Sequence, residues 1–272
     1  ICLCSFFLFI LRELKTKYPI VDLRIFANRN FLICTILVFI WGIIIFATQY
    51  ILPVFIARTR GLDGTTIASM VYIMGAAQVA SGFLALFLFK VVNRRTVAFI
   101  GFIMLATGTW LQGFMISEVG LNEIIWPQII RGLSAQLCFL PLVLLSIGYL
   151  PTDKIKDGSG LYSLMNRLGA AIGIAASNTL FELKITENYL EISSVTSKAL
   201  YQSQLFLTKL NNLIPKYLSN SPEKTKIASE ILYKIGIEEA SAMAFNQIML
   251  IMGIMALIIS PLIFFVKGLK KE

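Results

Sequence analysis

Histidine is absent from the 272 residues, and none of the 15 acidic side chains falls inside a long apolar run. Proton-driven membrane transport needs a carboxylate or an imidazole within the bilayer to take up and release the proton. A proton-coupled machine built on this chain must therefore keep its carrier elsewhere. The same absences remove most catalytic chemistry, because no nucleophile has a histidine base to activate it. The close acid pairs are Asp153 with Asp157, split by two lysines, and Glu238 with Glu239. Neither makes the paired-aspartate magnesium site of a membrane transferase, so the chain does not read as an enzyme. No repeated carbonyl or charge-ring filter of a channel is visible either. Cysteine is scarce: Cys2, Cys4, Cys34 and Cys138 all lie in apolar segments. They read as buried small hydrophobes, so no disulfide, metal site or cofactor is expected.

What is present is apolar mass. With 57% hydrophobic and 14% charged residues and a mean hydropathy of +0.78, the chain has too few polar groups to cover a water-exposed surface. Six apolar runs, at 31–56, 67–89, 97–116, 124–150, 161–181 and 244–266, each approach or exceed the ~20 residues that cross a bilayer as a helix. The fold class is all-α: an integral membrane bundle of six transmembrane helices. Residues 1–11 are apolar but too short to span, and read as the end of a preceding transmembrane helix. Arg12, Lys15 and Lys17 follow that run, whereas a signal peptide places its basic residues first.

Thirteen Lys and Arg residues fall on one side: five between 12 and 29, three in 90–95, Lys154 and Lys156, and three in the tail 267–272. The short connections on the other side hold only Arg58 and Arg60. The positive-inside rule makes the basic side cytoplasmic, with 12–30 a cytoplasmic connection and the C-terminus inside. The net charge of +9 is thus a topology signal, and no nucleic-acid partner is expected. Residues 182–242 carry seven Lys and seven Glu and read as an outer loop. Ser221-Pro222-Glu223 is a helix start, with Ile227, Ile231, Leu232 and Ile235 at helical spacing up to Gly236. A weaker pattern runs over 197–213. Two short amphipathic surface helices are expected, serving as a connector or as a dock for a periplasmic adaptor.

Pro19-Ile20-Val21-Asp22-Leu23-Arg24-Ile25-Phe26-Ala27-Asn28-Arg29-Asn30-Phe31 resembles the segment entering the carboxy-terminal bundle of the fourteen-helix drug:proton antiporters of the major facilitator superfamily. Trp126-Pro127-Gln128-Ile129-Ile130-Arg131-Gly132, with Pro141 later in the span, is similar to that family's eleventh helix. Asn166-Arg167-Leu168-Gly169-Ala170-Ala171-Ile172-Gly173-Ile174-Ala175 is similar to its thirteenth, and a long outer loop follows, as in the family. The resemblance covers 19–266. It implies the second half of a major facilitator fold, 31–266, with 1–11 ending the second linker helix and the N-terminal six-helix bundle as a missing partner. Two such bundles rock around a midplane site. The implied function is efflux of drugs or other small molecules by proton antiport, in the plasma membrane, the inner membrane of a bacterium. The chain departs from the family in the loop motif around 90–95: Asn93-Arg94-Arg95 is basic, but 84–89 lacks the usual glycine. Asn246-Gln247 stands where relatives often have an acid.

Two charges lie within the spans. Arg131 sits about two turns, roughly 10 Å, from one end of its span, and Arg167 about as deep in the next. A mid-membrane charge costs upward of ~2.5 kcal/mol, so each should face water, carbonyls or a partner. The two readings are a cavity residue, meeting an anionic substrate group or an acid of the absent bundle, and a clamp or snorkelling group. Gln49, Gln78, Gln128, Gln136 and Asn166, with Asn178, are substrate-cavity candidates against bridges between helices. Pro127 and Pro141 each remove a backbone hydrogen bond and bend one span, and interrupted helices mark transporter binding regions. Pro53 reads as an end effect. Gly169 and Gly173, with Ala171 and Ala175, form a small-residue stripe for close helix approach, a sliding contact in a rocking transporter. Two alternatives stand beside drug efflux: a transport-inactive membrane remnant of a split or truncated gene, and an exporter of a siderophore or organic anion.

Overall fold

The computed structural model describes Arg12 and residues 23–61, 64–115, 121–198 and 222–266. The linker-helix end, the cysteines Cys2 and Cys4, the tail 267–272 and nearly all of the pattern at 197–213 lie outside the described residues. Among the described residues, six α-helices follow a short 3-10 turn, Leu23–Ala27: α1 Arg29–Arg60, α2 Gly64–Val91, α3 Arg94–Gln112, α4 Leu121–Ile147, α5 Ile155–Lys198 and α6 Pro222–Ile259. There is no strand among the described residues. Five of the six are long and apolar enough to cross a membrane. The other, α3, is 19 residues long and opens on Arg94 and Arg95. Each helix overlaps one apolar run, and the chain is an all-α, multi-pass membrane bundle.

Local chemistry sets the ends of α1. The Asn28 side chain caps its start, Oδ1 accepting from the backbone N–H groups of Asn30 at 3.0 Å and Phe31 at 3.3 Å. At the far end Gly61 adopts φ +55° and its N–H reaches back to the Ala57 carbonyl, the left-handed cap that glycine accepts without a Cβ clash. Pro53 lies inside this helix and not at its end as expected, because α1 continues to Arg60.

α1 is the hub. It packs along α5 and also meets α4 and α6, while α4 packs on α2 and α3. Phe55 of α1 stacks on Phe245 of α6 with ring centroids 4.4 Å apart. The α1–α5 contact brings backbones together: a Cβ on Gly169 would stand 2.2 Å from the Phe39 carbonyl oxygen, and one on Gly173 2.5 Å from that of Ile43. Gly42 answers from α1, where a Cβ would stand 2.8 Å from the Asn166 carbonyl oxygen. Gly169 and Gly173 thus pack within this bundle, on α1, while Ala171 and Ala175 are exposed.

Two expectations about helix continuity are corrected. Pro127 and Pro141 both lie inside α4, which is helical throughout, so neither interrupts the span; each lacks the N–H for one backbone hydrogen bond. The supposed outer loop 182–242 is helical wherever it is described. α5 continues to Lys198 and α6 begins at Pro222, so the amphipathic segment after Pro222 does not stop at Gly236. Tyr189 and Tyr233 meet edge to face at 5.3 Å, and Gly236 gives room for the Tyr189 ring, which a Cβ would approach at 3.1 Å.

Candidate functional site

Arg131 is fully buried. Its Nη1 donates to Gln112 Oε1 at 2.5 Å and to Gln128 Oε1 at 3.0 Å, and its Nη2 donates to Thr48 Oγ1. Gln112 Nε2 also donates to Gln128 Oε1, at 3.3 Å. One guanidinium thereby ties α4 to α3 and α1. Gly108 of α3 makes the room, since a Cβ there would lie 2.7 Å from Arg131 Cγ. The hydrogen-bond partners of Arg131 are all neutral, so they solvate the charge and do not neutralise it. A buried cation survives on such terms only when its donors are met; here Nε alone makes no hydrogen bond.

This arrangement corrects the cavity assignment of Arg131 and Gln128. Both are sealed inside the bundle, as a clamp. Thr48 and Gln112 complete the cluster, and neither stood among the sequence candidates. The signal for Gln112 was the one that singled out Gln128, an amide inside an apolar run. Thr48 carried none, since a threonine can satisfy its hydroxyl on its own helix, as Thr48 also does on the Ile44 carbonyl at 2.7 Å.

A second set of polar groups lies on the outside of the bundle. Gln49, Arg167 and Asn178 are exposed, and Asn166 is half-buried. Tyr50 Oη on α1 donates to Asn178 Oδ1 on α5 at 3.2 Å. Further along the same seam, Arg58 and Glu182 form a bidentate ion pair at 2.8 and 3.1 Å, with Arg58 over the Phe181 ring. Gln78 and Gln136 are half-buried on α2 and α4. No pair among Gln49, Gln78, Gln136 and Arg167 is joined by a hydrogen bond that would gather them into one site.

The amides of α6 also act as ties. Asn246 Oδ1 accepts from the Met115 N–H at 3.1 Å and its Nδ2 donates to the Met115 carbonyl at 2.7 Å, pinning the end of α3. Gln247 donates to Asn188 at 3.3 Å, and Asn188 donates to the Ala240 carbonyl at 3.4 Å. No group of three His, Cys, Asp or Glu side chains forms a metal site among the described residues.

Five membrane-length helices, the unbroken α4 and the α1–α5 seam meet a direct comparison: the model of the Major Facilitator Superfamily matches residues 3–174. The chain belongs to the major facilitator superfamily. Among its relatives, the colistin resistance protein EmrB of Acinetobacter baumannii is 26% identical over the whole of this chain and 52% of its own length. The multidrug export protein EmrB of Escherichia coli K12 is 25% identical over 74% of this chain and 40% of its own. The fatty acid resistance protein FarB of Neisseria gonorrhoeae is 27% identical over 64% and 34%. This major facilitator chain spans about half the length of the curated relatives it matches.

Proposed function

We propose that this chain is the carboxy-terminal half of a proton-coupled exporter of small lipophilic molecules, working by alternating access in the plasma membrane with its C-terminus in the cytoplasm. It supplies one wall of the transport path and performs no enzymatic step. The absent amino-terminal bundle supplies the proton carboxylate, because every charge this half places within its apolar runs is an arginine. The carrying observation is the polar face on α1 and α5. Gln49 and Asn178 are exposed within the apolar runs 31–56 and 161–181, and an amide turned to lipid loses hydrogen bonds worth several kcal/mol in order of magnitude. A wet cavity or a second bundle relieves that cost. The names of the relatives, resistance to colistin and to fatty acids and multidrug export, support export as the direction. A periplasmic adaptor docked on the helical extensions of α5 and α6 belongs to the same reading.

Inside-out vesicles from cells carrying the native polypeptide test it. With the lumen acidified, a lipophilic dye is expected to accumulate, and a protonophore to abolish the uptake. Uptake that ignores the protonophore removes proton antiport. Failure to take up lipophilic cations, neutral drugs and fatty acids alike leaves the transport-inactive remnant as the function. A band near 30.4 kDa on a membrane blot, in place of one about twice that size, would place the missing half on a separate chain.

A further inference from the structure

We infer that the basic end of α1 and α5 carries a binding site for one anionic phospholipid. An apolar groove of about 260 Å³ opens there, lined by Phe26, Leu32, Thr35, Ile36, Phe39 and Met165. Its α1 side rises about 10 Å from Leu32 to Phe39 at 1.5 Å per residue, and its far end stands ten residues, about 15 Å, above the level of Arg29. That depth equals one leaflet of a hydrocarbon core ~30 Å thick. The groove thus has the lining and the reach for a single acyl chain.

The mouth has the matching charge. Arg24 lies two residues before Phe26 and Arg29 three before Leu32, and both are exposed. The turn that bears them is held firmly. Ile25 is buried with Phe31, Leu150 and Leu161, Phe26 packs edge-on against Phe31 at 5.4 Å, and Asn28 caps α1 while its Nδ2 donates to the Tyr149 carbonyl at 3.5 Å. Cations fixed at a membrane interface beside an apolar slot select a phosphate with an exposed negative charge over a zwitterionic headgroup. Thr35 adds no polar demand to the slot, because its hydroxyl donates to the Phe31 carbonyl at 2.7 Å. The site lies at the basic end of the α1–α5 seam, apart from the Arg131 clamp and about ten residues along α1 from the polar pair at Tyr50 and Asn178.

The test uses the native polypeptide, purified in mild detergent and offered phosphatidylglycerol or phosphatidylcholine of identical chains, with retained lipid read by native mass spectrometry. Phosphatidylglycerol is expected to be retained in preference. The Arg29→Gln variant should weaken it by about fivefold, the fold-change that corresponds to the energy of one basic residue at an anionic surface, with phosphatidylcholine unaffected. Ile36→Trp, filling the groove, should reduce both lipids while circular dichroism stays that of the parent. A photo-reactive residue at position 36 should capture lipid in native membranes. Equal retention of the two lipids, no loss in the arginine variant, or capture of protein at position 36 in place of lipid would each overturn the site.

Discussion

A guanidinium held away from both water and lipid is only as stable as the acceptors around it, so Arg131 makes its neighbours sensitive to change. Gln112→Leu leaves the cation short of its 2.5 Å acceptor, and a hydrogen bond to a charged group is worth about 2 kcal/mol. Tyr50→Phe removes a neutral, exposed bond of the kind that averages ~0.6 kcal/mol between membrane helices. Equilibrium unfolding of the purified protein should rank them in that order. Combining Gln112→Leu with Arg131→Met should restore most of the loss, since the charge that needed the amide has gone. A double variant that loses the sum of the two singles would mean that Arg131 and Gln112 do not act together. The sequence showed that Arg131 was costly and had to be satisfied. It could not show where, because facing a cavity and facing three helices use the same residue types. Only the pairing of Gln112 and Thr48 with Arg131 across helices decides between them, and that pairing has no signature along the chain.

Helices and spans are set by different chemistry, which explains what was legible at the scale of elements. The six apolar runs locate the six helices because lipid demands about twenty apolar residues. The ends of α5 and α6 were misplaced because a helix stops at breakers and not at the water boundary. Between Gly173 and Lys198 there is neither glycine nor proline. Ile185 and Asn188 are buried there, with Tyr189 and Ile192 half-buried, so the helical face continues past the apolar run. Within α5 the glycines divide by what stands opposite them. Gly169→Ala drives a Cβ to 2.2 Å from backbone oxygen on α1, and overpacking of this kind costs about 1–3 kcal/mol. Gly160→Ala meets nothing within 4 Å and should gain roughly 0.5–1 kcal/mol of helix propensity. Thermal unfolding in detergent should move in opposite directions for the two. A shift of the same sign in both would remove the close α1–α5 seam as the reason for Gly169.

At the scale of the whole molecule, the exposed faces of the bundle are not equivalent. Only 22% of the most apolar stretch of α2 and 28% of that of α5 is buried, against 61% for α1, so α2 and α5 present the surfaces that something else must cover. On α2 the exposed side chains include Tyr72, Val79, Phe83, Leu86 and Phe87, a face that hydrocarbon satisfies at no cost. On α5 exposed apolar residues such as Ile172 and Ile174 alternate with Arg167, Asn178 and Thr179, and Gln49 of α1 is exposed near the same seam. Lipid satisfies that mixture poorly, whereas a water-filled path between two bundles satisfies both parts of it. Single cysteines placed in a cysteine-free version of the native polypeptide separate the two faces. At Gln49 and Asn178 they should react with a membrane-impermeant maleimide in intact membranes, and added transport substrate should slow the reaction. At Val79 and Phe83 they should stay unreactive. Fast labelling on α2 together with silence at Gln49 and Asn178 would reverse the assignment, putting lipid against α5 and the transport path against α2.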